Sequence, residues 1–137
     1  MYEIINNNIV RGGRLPHGMV TIRPNRILAL HVNFRKKFID GKYNNEEKLF
    51  CVLLYSKELN KFAFRFTQNE SEPGAIMVAG SASFYEKHVY IGNFLKQYDT
   101  NIENYIGRYE VKVEEISVGE CPAETYCVIN LNKKIEI

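Results

Sequence analysis

Asn33-Phe34-Arg35-Lys36-Lys37-Phe38 returns sixty positions later as Asn93-Phe94-Leu95-Lys96-Gln97-Tyr98. At the same spacing Leu49, Cys51 and Leu53 fall on Tyr109, Val111 and Val113 without a gap. Recurrence that keeps the following strand in register is the signature of a duplicated unit. Within 137 residues there is room for two such units and little else. A unit of roughly 50 ordered residues buries too little apolar surface to be comfortable alone. The two copies are therefore expected to share one core.

The local patterns within each copy read β-β-α-β-β. In the first, Met19–Arg23 and Arg26–Val32 are strands joined at Pro24-Asn25, a natural turn pair. Asn33 is expected to cap a short helix from Phe34 to about Asp40, ended by Gly41 in the left-handed conformation. Phe34 and Phe38, four apart, share one face of that helix, and Arg35, Lys36 and Lys37 fan around the others. Leu49–Tyr55 is apolar on both faces, and Phe62–Thr67 alternates with Phe62, Phe64 and Phe66 on one side. Core packing is the plain reading of those rings; a stacking platform for bases is the alternative. In the second copy, strands are expected at Ala75–Ala79, Ser83–Ile91, Arg108–Glu115 and Tyr126–Leu131, with a helix from Phe94 to Tyr98. The chain thus divides into a flexible basic arm (1–18), a first repeat (19–67), a linker (68–74), a second repeat (75–131) and a tail (132–137). The fold class is β-rich α+β, two β-β-α-β-β repeats sharing one core.

Composition narrows the class of function. Charged residues make up 25% and hydrophobic residues 45%, as in an ordinary globular chain. Leu49–Tyr55, the longest uncharged apolar run, is far short of the roughly 20 residues that span a bilayer. Met1–Asn8 lacks the basic and apolar regions of a secretory leader. Cys51, Cys121 and Cys127 form no C-x-x-C pair, and an odd count cannot pair fully within the chain, which points to free thiols in the cytoplasm. Charge is distributed unevenly. Residues 1–42 carry eight basic groups against two acidic ones, whereas the overall net charge is only +2. One electropositive face on an acidic body suits a polyanion, or else an acidic protein surface.

An enzyme finds little footing. His17, His31 and His88 have no metal-ligand spacing and no neighbouring carboxylate cluster. Arg11-Gly12-Gly13-Arg14 lacks the phosphate-loop frame, there is no G-x-S-x-G elbow, and Cys51 sits in an apolar strand that blunts a thiol. No catalytic residue, metal or cofactor is expected. Nucleic-acid binding is better supported. Arg23 and Arg26 flank a turn, Arg35, Lys36 and Lys37 follow on a helix expected close to that turn so that the groups converge on one edge, and Arg11 and Arg14 lie in a glycine-spaced arm able to track a backbone.

From Arg26 to Phe38 (Arg-Ile-Leu-Ala-Leu-His-Val-Asn-Phe-Arg-Lys-Lys-Phe), followed by an apolar and an alternating strand, the chain resembles the AbrB/SpoVT/MraZ-like swapped-hairpin DNA-binding family. The resemblance implies two interlocked β-β-α-β-β halves, here a single-chain pseudo-dimer. Arg26 matches the family's strand-start arginine, and Arg35 and Lys36 match the basic pair of its helix. Glu86-Lys87-His88 and Leu95 depart from that pattern in the second half, which implies a structural partner rather than a second reader. The combined expectation is a DNA-binding transcriptional regulator, with DNA favoured over RNA, no membrane, and self-association open. The alternative is an interaction module or inhibitor, such as a phage or mobile-element accessory factor.

Overall fold

The computed structural model describes residues 17–44, 47–80, 87–97 and 102–135. The expected arm, with Arg11 and Arg14, lies outside the described residues apart from His17 and Gly18, as does the start of the strand expected at Ser83.

Among the described residues, nine strands and two short α-helices follow in chain order, with a 3-10 turn at Ile102–Asn104: β1 (Met19–Arg23), β2 (Ile27–Leu30), α1 (Val32–Phe38), β3 (Phe50–Ser56), β4 (Lys61–Thr67), β5 (Ala75–Ala79), β6 (Lys87–Tyr90), α2 (Gly92–Gln97), β7 (Gly107–Glu110), β8 (Lys112–Ile116) and β9 (Glu124–Asn130). All pairings are antiparallel, in the order β7-β1-β2-β6-β5-β3-β4-β9-β8. β7 and β8 stand at the two ends of that order, yet only Val111 separates them in the chain. One bent segment therefore serves both edges, and the sheet becomes a nearly closed barrel. The stretch after β9 completes the seam. Lys134 bridges to Tyr109, and the Ile135 amide donates to the Arg108 carbonyl at 2.8 Å. Closure is a physical remedy for the unpaired groups of an open sheet edge.

Strand periodicity of two sends alternate residues inward. Val20, Ile22, Leu28, Leu30, Val89, Tyr109, Val111 and Ile129 fill the barrel, essentially without solvent contact. Phe62, Phe64 and Phe66 line the inside along β4, so those rings pack in the core and present no outer platform. The helices supply the two ends of this aromatic line. Phe34 of α1 meets Phe64 and Phe66 at 5.7 and 5.9 Å, while Phe94 of α2 meets Phe62 at 5.3 Å. Gly18 lets the chain enter β1 against α1: a Cβ there would lie 2.6 Å from the Phe34 nitrogen, and its φ is +74°.

Three local expectations change. α1 starts at Val32, capped by the extended backbone of His31 and not by Asn33. The His31 ring is engaged across the hairpin, its Nε2 2.5 Å from Thr21 Oγ1, and makes no side-chain cap bond. The strand expected over Arg108–Glu115 breaks at Val111, where it passes from one side of the seam to the other, and Val113 beyond the break is 37% exposed. The tail is tied into the seam through Lys134 and Ile135. Gly41 takes the left-handed conformation as expected, with φ +76°, but it lies beyond the end of α1, which stops at Phe38 with Ile39 as its cap. No helix among the described residues is long and apolar enough to cross a membrane.

Candidate nucleic-acid interface

Hairpin register decides where the expected cations stand. Arg23 pairs with Ile27 at one end of β1–β2, and Val20 pairs with Leu30 at the other. α1 leaves from the Leu30 end, so the turn carrying Arg23 and Arg26 lies about 10 Å or more along the strands from the helix. The turn abuts the start of α2 instead: the Ile91 amide donates to the Arg26 carbonyl at 2.9 Å. The basic residues therefore form two groups. Arg23 (half-buried) and Arg26 (exposed) stand at the turn; Lys36 and Lys37 are exposed on α1. Arg35 is turned inward, only 7% exposed, because α1 lies in the barrel mouth and buries Arg35 alongside Phe34. Arg26 holds a left-handed backbone, φ +64°, its amide donating to the Arg23 carbonyl at 3.0 Å. That tight turn brings Arg23 and Arg26 together at one end of the β1–β2 hairpin.

The outer surface of β7, β1, β2 and β6 follows from the same register. With Val20, Ile22, Leu28, Leu30, Val89 and Tyr109 pointing in, their neighbours in sequence point out. One cross-strand row runs Arg108, Thr21, Ala29, His88, in which the small Ala29 is itself covered. The next runs Arg23, Ile27, Tyr90. Arg108 on β7, Arg23 on β1 and Arg26 at the entry to β2 thus occupy three consecutive strands. Arg26 and Arg108 are exposed, and neither forms an ion pair with a described residue. Glu110 is the acid on this surface, two residues along β7 from Arg108 and opposite Met19. Sequence reasoning overlooked Arg108 and Tyr90. Their signal lay in the alternation of Arg108 and Glu110 with buried Tyr109, and of His88 and Tyr90 with buried Val89.

The outer surface of β3, β4, β9 and β8 differs. Ala63, Tyr126 and Val128 form a second small apolar cluster there with Leu54 and Ile116. Arg65 is engaged throughout: it pairs with Glu72, reaches Glu124 at 2.8 Å, donates to the Tyr126 hydroxyl at 3.3 Å and lies over that ring. Lys61 faces Glu114 at 3.6 Å. A groove of about 450 Å³ runs between Leu54, Leu59, Ile116 and Val118.

The thiols follow burial. Burial pushes the Cys51 thiol well above the ordinary range and raises Cys127 to about 12, while Cys121 is exposed. Among the described residues no cluster of three or more His, Cys, Asp or Glu side chains could hold a metal ion. No protein-family model, curated protein or solved structure matches the chain.

Proposed function

We propose that this chain is a small nucleic-acid-binding protein, a DNA-binding transcriptional regulator built as an internally duplicated swapped-hairpin barrel. The observation that carries the binding reading is the placement of Arg108, Arg23 and Arg26 on three adjacent strands, with Arg26 and Arg108 exposed. Each such group that meets a phosphate releases condensed counterions, giving affinity that falls steeply with salt. Lys36 and Lys37, at the other end of the hairpin, would extend the contact along a backbone. Phosphate contacts of this kind set affinity and position, leaving sequence choice to base edges or DNA shape.

The duplication is supported by how the strands are ordered. β2 and β6 pair so that Ile27 faces Tyr90 and Leu30 faces Lys87, which exchanges positions sixty residues apart. β1 lies beside β7 just as β5 lies beside β3, and β4 meets β9 on the far side. Each half thereby lends its first strand to the third strand of the other, the interlocking implied by the AbrB/SpoVT/MraZ-like resemblance. The spacing drifts in the first and last strands, Met19–Arg23 against Ala75–Ala79 and Lys61–Thr67 against Glu124–Asn130, as length changes in the adjoining loops would cause.

Fluorescence anisotropy with labelled duplex DNA, single-stranded DNA and RNA, titrated across a salt series, tests the reading. Binding to at least one of them with a clearly negative log–log salt slope is expected. A slope near zero, or no binding at low salt, would contradict it and move the basic face to an acidic protein partner.

A further inference from the structure

Tyr90 is the aromatic side chain that stands out on the hairpin surface. It is 47% exposed, points outward between inward Val89 and Ile91, and lies in one row with Ile27 and Arg23. On its other side β5 continues the row. Val78 pairs with Val89, which brings Met77, 52% exposed, next to Tyr90. The ring is also fixed in place. A Cβ on Gly92 would lie 2.2 Å from its hydroxyl oxygen and 2.4 Å from the ring carbon bearing it, so the ring lies directly over the bare Cα of Gly92. Glycine at the start of α2 thus leaves room for the hydroxyl end of the half-exposed ring. Arg26, whose carbonyl accepts from the Ile91 amide, stands one strand spacing from Tyr90, and Arg23 stands two, roughly 10 Å away.

We infer that this row is a stacking platform for single-stranded nucleic acid, with a base on Tyr90, flanked by Ile27 and Met77, and the backbone led past Arg23 and Arg26. The inference rests on the nucleic-acid-binding part of the reading above and narrows the ligand to an unpaired strand, in place of the duplex that a regulator of DNA shape would read. The chemistry fits an unpaired strand better than a duplex. A base inside a duplex has both faces covered by its neighbours, whereas an unpaired base offers a π-face to a ring. Charge complementarity supplies the rest, because cations beside an aromatic ring match the alternation of phosphate and base along one strand.

The test uses the full chain with four probes: a dT 12-mer, an rU 12-mer, a 12-bp duplex and an abasic 12-mer of equal charge. Wild type should bind the dT and rU strands on the order of tenfold more tightly than the abasic strand. Tyr90→Ala should remove most of that margin while leaving the salt slope unchanged, and Tyr90→Phe should retain it. Gly92→Ala, whose added methyl must displace the ring, should weaken base-bearing strands and spare the abasic one. Arg23→Ala with Arg26→Gly should instead lower the slope by about 0.7 per lost contact on single strands. Urea midpoints for each variant separate loss of binding from loss of fold. Equal affinity for abasic and base-bearing strands, or full dT and rU binding by folded Tyr90→Ala, overturns the platform and leaves polyanion binding standing. Failure of every probe to bind at low salt overturns the platform and the nucleic-acid reading together.

Discussion

The two outer surfaces of the barrel treat their cations differently. On β3, β4, β9 and β8, Arg65 is held by Glu72, Glu124 and Tyr126, and Lys61 by Glu114. On β7, β1 and β2, Arg108 and Arg26 face outward and form no ion pair with a described residue. The same residue types thus serve two ends. Arg65 pins the β4–β5 connection to the start of β9, and its positive charge is compensated locally. Arg26 and Arg108 carry no such compensation from a described residue, and their charge is presented to solvent. Net charge cannot express this difference; the location of the acids does. Glu72, Glu114 and Glu124 all lie on one surface.

The largest expected effect concerns what the two surfaces share. Phe34 is fully buried and touches Phe38, Phe64 and Phe66, so it ties the first hairpin's helix to the inside of β4. Phe34→Ala should cost about 3–5 kcal/mol. One cooperative urea transition at a lower midpoint is expected; separate transitions for the two sides would break the single-core description. Next comes the paired surface. Arg65→Ala removes two carboxylate partners and a stacking contact and should cost about 1–2 kcal/mol, since the group is partly screened by solvent. Polyanion affinity should stay the same or rise slightly. A large loss of binding in that variant would mean that the two surfaces are not functionally distinct.

Sulfur provides a smaller and sharper check through pH. Cys127 is raised by burial from 9.0 to about 12, and Cys51 is raised further by the same cause. A group whose native pKa is raised stabilises the fold below its unfolded pKa, and that contribution disappears as pH climbs toward the native value. Stability should hold to about pH 9 and then decline toward pH 12. The decline should be shallower in Cys127→Ala, whatever its starting stability, as read from urea midpoints at pH 8 and pH 10.5. In the native protein at neutral pH a thiol reagent should modify exposed Cys121 and spare Cys51 and Cys127. Equal labelling of all three would refute the burial of β3 and β9.

Much of this architecture was legible in the chain. Alternation marked Phe62, Phe64 and Phe66 as an inward stripe, and β5 occupies the expected Ala75–Ala79. The helices fell within a residue or two of their observed starts. Periodicity states which residues share a face, but it does not state which strand lies alongside. For that reason the β1–β2 turn was expected next to α1, whereas register puts it beside the start of α2. Arg35 was misread for a related reason. A helix lying along a barrel surface exposes the residue after its apolar anchor, but a seven-residue helix set into the barrel mouth buries Phe34 and Arg35 together. The Val111 break was equally hidden, because alternation continues through it while the neighbouring strand changes from β1 to β9.

The contrast between presented and compensated arginines is tested most directly by two matched variants on one probe. Arg23→Ala with Arg26→Gly removes two charges from the hairpin surface, and glycine suits the left-handed backbone at residue 26. Lys61→Ala with Lys112→Ala removes two charges from the opposite surface. Affinity for the tightest-binding nucleic acid, measured from about 50 to 200 mM salt, gives a slope for each protein. A located hairpin surface requires a slope lowered by about 1.4–1.8 in the hairpin variant and nearly unchanged in its counterpart. Equal reductions in both variants would contradict it, because the protein would then be responding to total charge and not to a located surface.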